Sequence, residues 1–134
     1  MTAPVTVGSR VPGPQLPGLV SGVVLAVGCW LLVQSLRADY GALTGFDAPW
    51  NDRLVGLAAC ALGLFRALRR MTLRTATVCG AAIGCWSLSA PLMIDYGFGA
   101  DSTLATGADV LAGVLIAGLS LLGHLHATDP MVED

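Results

Sequence analysis

Lysine is absent from this chain of 134 residues, and charge of either sign is scarce: all seven basic residues are arginine and only 12% of positions are charged. A water-soluble domain of this length needs more charge at its surface, and it is too short to bury the 54% of residues that are apolar. The mean hydropathy of +0.72 therefore places the chain in a membrane. The net charge is −2 with no block of like-charged basic residues, which excludes the phosphate backbone of a nucleic acid as a partner. The lack of lysine, beside heavy use of Ala, Gly, Leu and Val, fits GC-rich coding and a bacterial source.

Catalytic and metal-binding patterns are missing as well. None of Cys29, Cys60, Cys79 and Cys85 forms a C-x-x-C pair or has a His or carboxylate at ligand spacing, so they read as small packing hydrophobes. The two histidines, His124 and His126, fall at the end of an apolar stretch and cannot face one side of a helix. No nucleophile elbow, phosphate loop or dinucleotide fingerprint occurs. The expectation is a protein that is not an enzyme, with no cofactor and no metal.

What the sequence does contain is four apolar stretches. Residues 1–17, rich in Pro, Gly, Ser and Thr, read as a flexible tail. Gly18–Leu36, Thr75–Ile94 and Val110–Leu125 are adequate membrane spans at about 20 residues per crossing. Arg53–Leu68 is the shortest. Its uncharged core, Leu54–Phe65, covers roughly 18 Å of a bilayer about 30 Å thick, with Arg66 extending to one interface and Trp50 marking the other. The expected division is a tail (1–17), two hairpins (18–70 and 71–126) and a short tail (127–134). Arg66, Arg69, Arg70 and Arg74 cluster at the second connection, so the positive-inside rule places that turn and both termini in the cytoplasm of a bacterial inner membrane.

The stretch GCWLLVQSLRADYG at 28–41 returns as GCWSLSAPLMIDYG at 84–97, with eight of fourteen positions identical. Allowing one inserted residue, Asp52 then corresponds to Asp109, Val55 to Ala112 and Gly56 to Gly113. Each copy reads as an apolar helix, a loop opening with Asp-Tyr-Gly, and a second helix with Asp in its first turn. There Asp52 and Asp109 would complement the helix dipole. The fold class expected is an all-α, four-transmembrane-helix bundle built from two parallel helical-hairpin repeats. The first span matches a mid-chain span, so it is expected to be retained rather than cleaved as a signal.

Several residues stand out against this frame. Trp30 and Trp86 sit near mid-span, away from the interface that Trp prefers, and read as inter-helix packing. Gly80 and Gly84 form G-x-x-x-G, while Gly22/Ala26, Ala59/Gly63 and Gly113/Ala117 are similar small pairs suited to close helix contact. Arg37 has Met93 as its counterpart and could pair with Asp39 or Asp52. Every Asp is expected at or beyond a helix end. Asp39 and Asp95, with Tyr40 and Tyr96, could form an outer-face site.

Trp50-Asn51-Asp52 followed by Val55-Gly56, after a Trp-bearing apolar helix, resembles the SPW-repeat membrane proteins of bacteria, over roughly residues 20–125. The Ser-Pro-Trp of that family's name reads Gln34-Ser35-Leu36 and Ala90-Pro91-Leu92 here. The resemblance implies a small four-helix integral membrane protein and brings no catalytic residue with it. The functional expectation is a non-enzymatic accessory subunit that contacts the lipid bilayer and a membrane-protein partner or further copies of itself. A small transporter or channel around Asp39 and Asp95 is the alternative.

Overall fold

The computed structural model describes residues 16–40, 47–94, 96 and 99–127. They form four α-helices, α1 (Leu16–Arg37), α2 (Ala48–Ala67), α3 (Leu73–Met93) and α4 (Ser102–Ala127). The tails and Asp95, Gly41 and Gly97 lie outside the described residues, except that α1 begins at Leu16 and α4 ends at Ala127. Within α1, α3 and α4, the spans Gly18–Arg37, Leu73–Met93 and Ser102–His126 are long and apolar enough to cross a membrane. Helix α2 matches them in length, at 20 residues or about 30 Å, but carries Asp52, Arg53 and Arg66. It begins five residues before Arg53, where the apolar run starts. Asp47 stands at its N-cap and Pro49 lies in its first turn, where a missing N–H costs nothing.

The α2–α3 connection is tight. Arg69 takes a left-handed conformation at φ 53°, and Arg70 N–H bonds to Phe65 O at 2.9 Å, closing the end of α2 as a Schellman turn. Thr72 then caps α3 by accepting from Thr75 N–H at 3.2 Å. Pro91 lies in the last turn of α3, so the helix runs only to Met93.

Helix α1 packs along α2, and α3 along α4, through glycines that bring backbones together. A Cβ placed on Gly28 would lie 2.8 Å from Gly56 O, and one on Gly84 would lie 2.7 Å from Gly113 O. Leu32 covers Gly56 and Leu88 covers Gly113 in the same way. Corresponding positions of the duplicated segments thus make corresponding contacts. Gly80 and Gly84 both face α4, meeting Ser120 and Ala117 respectively, as the G-x-x-x-G spacing predicts. Gly22 is different: it has open space around it, and both it and Ala26 are exposed, so this small pair makes no close crossing.

The central core contains Val24, Leu31, Val55, Ala59, Ala112 and Ile116. At buried corresponding positions a large residue on one side is matched by a smaller one on the other: Val24 with Gly80, Leu31 with Ser87, Ile116 with Ala59, Val55 with Ala112. Interior volume is fixed at near-crystalline density, so two large copies of such a position would overfill the space.

Candidate functional site

A second buried cluster lies at the end of the bundle opposite the arginine turn. It contains Tyr40, Ala48, Tyr96 and Ala105. Beneath it Asn51, Asp52 and Asp109 are 0% exposed. Neither Asp is in the first turn of its helix. Asp109 stands seven residues past Ser102, roughly 10 Å along α4. The expectation that every Asp sits at a helix end is therefore corrected: one insertion maps Asp52 onto Asp109, but α4 begins earlier relative to its Asp than α2 does. The dipole role falls with it, because that effect fades within the first turn.

Tyr40 and Tyr96 donate their hydroxyls to Oδ2 of Asp52 and of Asp109 respectively. Burial first, then these hydrogen bonds, push both phenols above the ordinary tyrosine range. Asn51 ties the two sides together. Its Nδ2 donates to Asp109 Oδ2 at 3.0 Å and lies 3.4 Å from Tyr96 Oη, and its Oδ1 accepts from Trp86 Nε1 at 2.8 Å. One asparagine thereby engages residues from α3, from the tip that follows it and from α4.

The tips are braced in the same direction. Asp101 Oδ2 accepts from Asp39 N–H at 2.9 Å, and Asp101 N–H donates back to Asp39 O at 3.1 Å. Asp39 is exposed, while Asp95, its partner in the expected outer-face site, lies outside the described residues. Tyr40 and Tyr96 are turned inward to Asp52 and Asp109 rather than toward a surface site. Arg37 is exposed at the end of α1, and Asp52, one of the partners expected for it, is taken by Tyr40.

The two mid-span tryptophans differ. Trp86 bridges to Asn51, whereas Trp30 lines a groove of about 620 Å³ with Leu104, Gly107, Ala108 and Leu111 of α4. The corresponding groove beside Trp86, lined by Leu54, Val55, Ala58, Ala82 and Ile83, holds about 320 Å³. Both rings stay partly exposed, at 40% and 43%, so inter-helix packing describes one edge of each and the other faces outward. Trp50 is exposed, with the Arg53 guanidinium 5.1 Å from its ring centroid, a cation–π contact suited to an interface.

Among the described residues, no group of three metal-ligating side chains occurs. Cys29 Sγ lies 3.6 Å from Cys60 Sγ across α1 and α2, a pairing that spacing in sequence does not reveal. At the arginine end, a Cβ on Gly123 would come within 2.7 Å of Arg66 Nη2, so this guanidinium folds against α4 instead of extending along its own helix.

Helices of this length and apolarity, joined by short connections, define a small helical membrane protein. The SPW repeat domain matches residues 18–123, and the chain belongs to that family. No curated protein and no solved structure matches it.

Proposed function

We propose that the protein is a pair of like-oriented helical hairpins fused into one four-span bundle, which acts without catalysis as an accessory subunit beside a larger membrane complex. Its place is the bacterial inner membrane, with the arginine turn and both termini in the cytoplasm. One observation carries this reading: most of the polar side chains at the outer end of the bundle bond to one another, and Asn51, Asp52 and Asp109 have no exposure to solvent. Tyr40 and Asp52 form one bonded pair, and Asn51, Asp109, Tyr96 and Trp86 a second bonded group beside it. A transport path needs polar groups facing a water-filled passage. Polar groups held between helices and away from solvent instead suit a rigid scaffold, whose outer faces carry large apolar side chains such as Leu57, Leu64, Leu92 and Leu122.

Extraction in a mild detergent, followed by cross-linking and mass spectrometry, tests the reading. A stoichiometric membrane-protein partner is expected. A chain that migrates alone and cross-links to nothing would remove the accessory role. A tag after Asp134 that reacts with impermeant reagent outside intact cells would overturn the orientation.

A small transporter is favoured by one observation only, the presence of two buried carboxyls. Liposome flux abolished by Asp52→Asn plus Asp109→Asn would establish it in place of the accessory role.

A further inference from the structure

Asp52 of α2 and Asp109 of α4 are buried at the same end of the bundle, joined through Asn51. Both are wholly buried, both Oδ2 atoms accept from tyrosine hydroxyls, and Asn51, the residue before Asp52, donates to Asp109 Oδ2 at 3.0 Å, which brings α2 and α4 together at the two carboxyls. Their Oδ1 atoms have no hydrogen-bond partner. Among the described residues no arginine donates to either group. The cation acting nearby is Arg53 of α2, which is felt at Tyr40 and stacks on Trp50. The other groups facing the pair are Tyr40 from the end of α1, Tyr96 from the end of α3 and the neutral Asn51 of α2.

Two carboxylates brought together out of water repel strongly and lose their hydration, so the doubly charged state requires a compensating cation. A proton or a metal ion could supply it. Hard metal ions take six or more oxygen ligands, or six in strict octahedral array. Here both Oδ2 atoms already accept hydrogen bonds, which leaves only the two Oδ1 atoms. A proton needs no cavity and no further ligand, and it turns two unmet acceptors into a donor and an acceptor.

We infer that Asp52 and Asp109 form a proton-binding site, one proton shared between the two carboxyls at the junction of the two halves of the chain. Aspartic dyads that share a proton behave as one unit rather than as two separate acids. The proton is then a tie between α2 and α4, additional to the bonds through Asn51. Its loss leaves two like charges facing each other, so alkali loosens this end of the bundle while the arginine end is unaffected. The inference holds whether or not the protein has a partner, since it concerns only the chain itself.

Infrared spectroscopy of the full-length protein in lipid nanodiscs, with isotope-labelled aspartate, tests it. At neutral pH the wild type is expected to show a protonated-carboxyl band that shifts in heavy water. The band should vanish in Asp52→Asn and again in Asp109→Asn, where an amide donates in place of the shared proton. The thermal midpoint should fall with rising pH in the wild type and change far less in either variant. The wild-type spectrum decides the matter even if a variant fails to fold. Absence of the band at neutral pH would overturn the proposal, as would a stoichiometric metal ion that survives purification and is lost with either Asp. A null result in partner cross-linking, by contrast, bears only on the accessory role.

Discussion

Trp86 donates its indole N–H to Asn51 Oδ1 at 2.8 Å, whereas Trp30, which occupies the same place in the first copy of the repeated segment, faces Ala108 across an open groove. Ala108 is the residue that corresponds to Asn51 once the one-residue insertion is counted. The asymmetry makes Asn51 a polar link between the halves that Ala108 cannot reproduce. Asn51→Ala removes the acceptor of the part-buried Trp86 N–H and one of the two donors to Asp109 Oδ2, which keeps its bond from Tyr96. The expected loss is roughly 1–3 kcal/mol in equilibrium unfolding from mixed micelles. Trp30→Phe should stay within about 0.5 kcal/mol, since its ring lies on a partly exposed surface. Equal effects from the two substitutions would refute the assignment of Asn51 as the link.

Glycine contacts give a second, sharper comparison. An alanine at Gly28 would bring Cβ to 2.7 Å from Cys60 N, and one at Gly84 to 2.7 Å from Ala117 N, both backbone atoms that cannot yield. Each should destabilise by about 1–3 kcal/mol through overpacking. Alanine at Gly107 or Gly118 meets nothing within 4 Å and should be neutral, or stabilising by up to about 1 kcal/mol through helix propensity. Thermal midpoints of the four variants in one detergent separate the two groups.

The repeat in the sequence revealed the pairing of helices because it preserved the contact residues themselves: Gly28 and Gly56, with Leu32, correspond one by one to Gly84 and Gly113, with Leu88. Helical periodicity carries less information here. A membrane helix is apolar all round, so Gly22 and Ala26 looked as suitable for contact as Gly80 and Gly84, although only the latter pair is buried. The polar site was half legible. The duplication marks Tyr40, Asp52, Tyr96 and Asp109, yet the pattern places them at tips and helix starts, because charge ordinarily limits a span. Their hydrogen bonds make burial tolerable, and bonding partners far apart in sequence, such as Asn51 and Asp109, leave no local trace. Asn51 adjoins Asp52 in the family motif, and that adjacency was the one available signal.

The Cys29 and Cys60 sulfurs, 3.6 Å apart, need to approach by roughly 1.5 Å to reach disulfide bond length. Copper-phenanthroline treatment of native membranes should oxidise this pair, each thiol losing a proton and an electron to the reagent. Intact-mass analysis after alkylation should then show two free thiols, Cys79 and Cys85, and four in the unoxidised control. Cys29→Ser should leave every remaining thiol alkylated. Modification of all four cysteines in the oxidised wild type would contradict the α1–α2 register.

The chain has only two tyrosines, so its phenol titration reads the buried network directly. Tyr40 and Tyr96 follow their helices at the hairpin tips, and burial with a carboxyl beside each raises both above the ordinary 10.0. A group raised in the folded state stabilises fully below its unfolded value, and that contribution declines as pH climbs from 10.0 toward the folded value. Tyrosinate absorbance should therefore be absent from folded protein as pH passes 10.0, and should appear in one step with loss of the near-ultraviolet signal of folded tryptophan. Burial is the larger cause for Tyr40 and its hydrogen bond to Asp52 the second, so Asp52→Asn should lower the onset only part of the way. A smooth titration centred on the ordinary value, in protein that remains folded, would mean that the two phenols are open to water and the network is not sealed.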